Sequence, residues 1–161
     1  MRTIILLTLF AFPFLVHGQS KKDAKKNKVK SATVVQINHS DEGENRFKES
    51  YIEFDKQGNT VLEIEYSKDG SIKNKTTAKY DAYENRIEET YFNSKDNAII
   101  KRTFKYNANN DRIEETESKD DVFIKKTTFN YDVKGLKTNK KIYNKSESLK
   151  SEKKWSYEYY N

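Results

Sequence analysis

From residue 46 to residue 160 the chain alternates short runs of Ile, Val, Thr, Tyr and Phe with clusters of Asp, Asn, Gly and Ser. The runs RIEETYF and IIKRTFKY lack the apolar spacing of 3.6 residues that a helix needs over ten or more positions. Their branched and aromatic residues suit a pleated strand. The polar clusters return every 12–13 residues and hold the residue types that tight turns require. Strand-forming runs between regular turns predict an all-β antiparallel meander. About ten strands are expected, near 33–38, 46–54, 60–66, 72–80, 86–92, 98–106, 112–118, 122–131, 136–143 and 149–160. They form a single sheet that twists or curls by its natural hand.

The same pattern is written several times. An aromatic followed by Asp or Asn occurs as Phe54-Asp55, Tyr80-Asp81, Tyr106-Asn107 and Tyr131-Asp132, with an echo at Tyr157-Glu158, at intervals of 26, 26, 25 and 26 residues. A fixed period of this length signals stacked supersecondary units, none able to bury its own face. Each unit holds two turns: DKQGN, DAYEN, NANND and DVKG follow the aromatic, and SKDGS, NSKDN, SKDD and NKSES lie halfway on. Two residues before the motif aromatics stand Ile52, Ala78, Phe104, Phe129 and Trp155. Alternation puts each such pair on one face. Val61, Ile87 and Ile113 follow across the turn. Together they predict a stripe of aromatic and branched residues along the first-turn edge, with charged strand ends beyond it and a thin core.

The near-identity of KYDAYENRIEET and KYNANNDRIEET reads as a register device. With Lys95 at the centre of a turn, Glu88 falls opposite Arg102, Glu89 opposite Lys101 and Tyr91 opposite Ile99. With Asp120 at the centre of the next, Glu114 falls opposite Lys126 and Glu115 opposite Lys125. Opposite charges across a strand pair stabilise it and fix its register.

Residues 54–92 also resemble the YD-repeat, or Rhs-type repeat, of bacterial exported proteins. The matching positions are Phe54-Asp55, Gly58-Asn59, Tyr66, Asp69-Gly70, Tyr80-Asp81 and Asn85, and the likeness extends, decaying, over about residues 50–160. The motif Gly is Glu84 in the second copy and Asn110 in the third, and the motif Asp is Asn107 in the third. The resemblance implies antiparallel β-structure and a role outside the cytoplasm. Large members look like shells around a toxic segment; four and a half units are too few to close one, and that role is not expected here.

The chain's beginning bears on where it works. Arg2, an apolar run from Ile4 to Val16 and the small-residue pattern Val16-His17-Gly18 read as a signal peptide over residues 1–18, too short to span a bilayer. Secretion or a periplasmic location is expected, with no membrane span after signal removal. Residues 19–32 hold six lysines and one aspartate and read as a flexible basic arm. The repeat domain is assigned to residues 33–161. The net charge of +6 belongs to the two leading segments, since residues 31–161 carry 24 basic and 24 acidic side chains. The lysine-rich arm is read as a solvated spacer, and no nucleic-acid partner is expected. With no cysteine there is no disulfide, thiol chemistry or lipid attachment.

Catalytic groups are sparse. Beyond the signal the chain has a single histidine, His39, which without cysteines cannot build an ordinary zinc site. The pairs Glu88-Glu89 and Glu114-Glu115 point to opposite faces of a strand and cannot flank one glycosidic bond. Neither an enzyme nor a cofactor is expected. The reading is an exported, non-enzymatic repeat module for protein interaction or envelope scaffolding, with an envelope protein as partner and edge-strand self-association as an option. The alternative is a carbohydrate-binding module that holds an extracellular polysaccharide on its aromatic stripe. The candidate ligand surface is Phe104, Tyr106, Phe129, Tyr131, Trp155, Tyr157 and Tyr159.

Overall fold

A computed structural model describes residues 20–40 and 43–160. The signal-like segment lies outside the described residues. Ten strands follow in chain order: β1 Ser31–Ser40, β2 Gly43–Phe54, β3 Thr60–Tyr66, β4 Ile72–Tyr80, β5 Arg86–Asn93, β6 Ala98–Tyr106, β7 Arg112–Lys119, β8 Val122–Tyr131, β9 Lys137–Tyr143 and β10 Leu149–Lys154. Each pairs antiparallel with its sequence neighbours in one ten-stranded sheet that does not close into a barrel. The expected meander is therefore present, with β10 shorter than its expected span. Among the described residues no helix is long and apolar enough to cross a membrane.

The first turn of each unit shows why its motif has that form. The side-chain oxygen of Asp55 accepts from the backbone N–H of Gln57 and Asn59 at 2.9 and 2.8 Å. Asp81, Asn107 and Asp132 repeat both bonds on the residues two and four further on. Asn replaces Asp without loss because the bond needs one acceptor oxygen. The fourth turn position is left-handed in every copy: Gly58, Glu84, Asn110 and Gly135 have φ of 80°, 63°, 64° and 76°. Glu84 accepts the strain that glycine avoids. A bulge follows each turn, where the ladder shifts beside Phe54, Tyr80, Tyr106 and Tyr131. Val61, Ile87 and Ile113 are the residues it leaves unpaired.

The motif tyrosine of the following unit serves the carbonyl just before each bulged residue. The Tyr80 hydroxyl donates to the Thr60 carbonyl at 3.2 Å, Tyr106 to Arg86 at 2.8 Å, Tyr131 to Arg112 at 2.9 Å and Tyr157 to Lys137 at 2.7 Å. Each reaches the first residue of the preceding strand, beyond the last ladder pair. Burial raises the hydroxyl pKa of Tyr80, Tyr106 and Tyr131 above the ordinary value, which keeps the donor protonated.

The register differs from expectation. Glu89, not Glu88, stands opposite Arg102, and Tyr91 opposite Ile100. Glu114 and Glu115 face Thr128 and Thr127 rather than lysines. The β5–β6 ladder runs without a bulge about a centre between Lys95 and Asp96, and the β7–β8 ladder is displaced further by a shift between Glu117 and Ser118. The repeated Lys and Glu instead pair across the first turn, within the repeated segment itself. Lys79 lies opposite Glu88 at 2.8 Å, and Lys105 opposite Glu114 at 2.6 Å. Lys101 adds a diagonal contact to Glu88 at 3.0 Å.

The flexible arm is also corrected. Lys21–Lys26 form a helix, α1, capped by the Ser20 hydroxyl, which accepts from the Asp23 N–H. Its Ala24 is buried with Ile52 and Phe54, and Val29 and Ala32 pack against them. Lys21 and Lys25 reach Glu84 at 2.6 and 3.5 Å. The lysines are exposed, but the small Ala24 allows the helix to dock, and strand structure begins at Ser31.

Candidate functional site

Alternation gives the sheet two faces, and the face bearing the aromatic stripe is called the front here. On it Ile52, Ala78, Phe104 and Phe129 are buried, as the motif spacing predicts, and Trp155 remains 38 % exposed. The stripe is interleaved with cations. The Arg86 and Arg112 guanidiniums lie 5.5 and 5.4 Å from the Phe104 ring centre. Phe129 has Arg112 at 5.3 Å, Lys137 at 4.7 Å and Lys140 at 5.8 Å from its ring centre. Cations at these distances are attracted to the ring faces. Phe104 and Phe129 are thus covered on the front by the protein itself, and Tyr106 and Tyr131 hold the turns closed.

The seven candidate aromatics therefore divide into two groups. Phe104, Tyr106, Phe129 and Tyr131 are built into the array. Trp155, Tyr157 and Tyr159, at 38, 39 and 55 % exposure, occupy the segment after β10, which is neither helix nor strand. Lys137 lies 5.9 Å from the Trp155 ring centre, and Lys134 lies 3.6 Å from that of Tyr159. Two shallow, open hollows border the stripe further back. One is lined in part by Val61, Ala78, Tyr80 and Ile87, the other by Ile87, Phe104, Tyr106 and Asn110.

Behind the stripe the front face carries a line of charges. Arg102 reaches Glu89 at 3.4 Å and Glu117 at 2.8 Å, and Lys125 reaches Glu117 at 3.2 Å. Burial works to raise the Glu117 carboxyl, but Arg102 and Lys125 outweigh it and hold it below the usual range. Glu88 is lowered by its bond to Lys79 and then by Lys101. These carboxylates are stabilised as anions.

The fourth unit breaks the charge scheme. The equivalent front-face positions are Glu63, Glu89, Glu115 and then Lys140. In the second and third units Arg86 pairs with Glu89, and Arg112 with Glu115. In the fourth, Lys137 and Lys140 occupy those places. Lys140 also stands directly opposite Lys153 on β10. Among the described residues none of these three lysines has a carboxylate within ion-pair distance. Burial lowers the Lys140 pKa; Glu115, the next-largest influence, opposes it, and Lys153, Lys137 and Arg112 add to the lowering. Sequence reasoning missed this triad, although aligning the units on their period already exposes the change from Glu to Lys.

No group of three or more metal-ligating side chains occurs among the described residues. No protein-family model matches the chain, and no curated protein matches it.

Proposed function

We propose that the protein is a non-enzymatic interaction module whose open sheet edge receives a partner protein of the cell envelope. The observation that carries this reading is the architecture. The sheet is linear, with β10 at one end, paired to β9 alone and exposed along its whole length. An unpaired strand edge is a template for strand addition. Carboxylates held below their ordinary range suit ion pairing and oppose a role as general acid, which requires a raised value. An exported YD-type array fits the same reading, since its turn positions Asp, Gly and Asn each have a defined structural task here.

The test places a photo-crosslinker at Lys150 on β10, and in a second variant at Lys75 on the central strand β4. The expected result is one envelope protein crosslinked from residue 150 and not from residue 75, which then binds saturably when purified. Equal yield from both positions, or none from residue 150, overturns the reading. The exposed Trp155, Tyr157 and Tyr159 favour a second one, carbohydrate binding at this same end of the array.

A further inference from the structure

We infer that Lys137, Lys140 and Lys153, together with Trp155, form a binding site for an acidic polysaccharide, its sugars bearing carboxylate or sulfate. The inference rests on the carbohydrate reading and gives that ligand a charge and a place.

Three observations carry it. First, the array elsewhere neutralises its cross-strand charges: Lys79 with Glu88, Lys105 with Glu114, Arg102 with Glu89 and Glu117. Like charges directly opposite destabilise a strand pair. Lys140 facing Lys153 is therefore a departure from that scheme, although Lys140 also lies 5.8 Å from the Phe129 ring centre. Second, the departure is confined to one unit. The position that is Glu in three units becomes Lys140 in the fourth, and the i,i+3 pairs of Arg86 with Glu89 and Arg112 with Glu115 become Lys137 with Lys140. Third, the triad adjoins the exposed end of the stripe. Phe104 has two cations at its ring and Phe129 three, whereas Trp155 has Lys137 at 5.9 Å and keeps 38 % of its surface exposed.

The chemistry fits a sugar polymer. The apolar face of a pyranose stacks on an indole, and its carboxylate or sulfate reaches the ammonium groups beside it. Tyr157 and Tyr159 add exposed aromatic surface in the segment after Trp155, as a polymer of successive residues requires. An acidic protein segment would satisfy the lysines but has less use for three exposed rings in sequence. Electrostatics of this kind also speeds encounter and makes binding sensitive to salt.

The experiment titrates the full chain with polygalacturonate, alginate and chondroitin sulfate, following the emission of Trp155, the protein's single tryptophan. Methyl-esterified polygalacturonate, dextran and poly-glutamate are the comparisons. Lys140→Glu restores the residue of the other units, and Lys68→Glu makes the same charge change in a distant exposed turn. At least one acidic polysaccharide is expected to bind tenfold or more tightly than the neutral polymers and poly-glutamate. Lys140→Glu should weaken that binding at least tenfold while raising the melting temperature, and Lys68→Glu should leave it within twofold. The rise in melting temperature separates a binding lysine from a structural one and shows that the variant is folded. The inference is overturned if no acidic polysaccharide outbinds the neutral ones, if poly-glutamate binds as well, or if both variants lose affinity equally. In each of those cases crosslinking from residue 150 to an envelope protein still decides the first reading separately.

Discussion

At the scale of single residues, the repeat is a set of backbone repairs. A bulged five-residue turn leaves polar backbone groups beyond the reach of the ladder, and each must find a partner. The motif Asp or Asn satisfies two N–H groups, and the motif Tyr satisfies a carbonyl on the strand before. Tyr106→Phe removes the bond to the Arg86 carbonyl at 2.8 Å and keeps the ring. It should cost about 1 kcal/mol, read as a lowered urea midpoint with an unchanged slope. The same hydroxyls set an alkaline limit. Their pKa values lie above the unfolded-state value of about 10 because burial disfavours the phenolate. Their stabilising effect is complete below that pH and is lost as pH rises through the folded-state values. Melting temperature should fall on that limb, and less steeply in Tyr106→Phe; an identical slope in the variant would show that the buried hydroxyl is not responsible.

At the scale of elements, the strands were legible because turn chemistry delimits them, and the register was not. A turn centred on one residue is off by one register step where two residues share the centre, as Lys95 and Asp96 do between β5 and β6, and the shift between Glu117 and Ser118 displaces β7–β8 by one more. Glu89 and Glu117 therefore meet at Arg102, a junction that no single hairpin predicts. Arg102→Leu takes from the buried Glu117 its contact at 2.8 Å and should cost about 2 kcal/mol. Glu117 contributes stability above its unfolded pKa, lost as pH falls through its lowered folded value, so the variant should also lose part of its acid-limb dependence. Helix α1 was illegible for a different reason. KKDAKK has no apolar period, and six residues are too few for a helix to form in isolation. Docking makes it: a Cβ on Gly58 would lie 2.5 Å from the Lys21 carbonyl oxygen, whereas one on Gly135 meets nothing within 4 Å. Both glycines have positive φ, so alanine should cost about 1 kcal/mol at either, with a further loss at Gly58 from the displaced helix. Deleting residues 20–28 should abolish that difference between the two variants in thermal melts.

At the scale of the whole molecule, the sheet is one layer thick and its stability is distributed unevenly. Stacked repeats gain from each neighbour they contact, so a strand with two neighbours is held better than a strand with one. The two ends are not equivalent. At the first, α1 and the cluster of Ala24, Ile52 and Phe54 cover the start of β1, while Val35 and Ile37 beyond its bulge are exposed. At the other end all residues of β10 are exposed, and the like charges of Lys140 and Lys153 oppose its pairing with β9. Amide exchange should therefore be slowest in β5–β8, intermediate in the first half of β1 and fastest in β10. Lys140→Glu should slow exchange in β10 and β9 and leave β2–β4 unchanged, because repeat stability is transmitted between neighbours. Protection in β10 equal to that in β5–β8, and rising with protein concentration, would mean that the edge is already paired with a second copy, and that the strand offered to a partner is occupied by the protein itself.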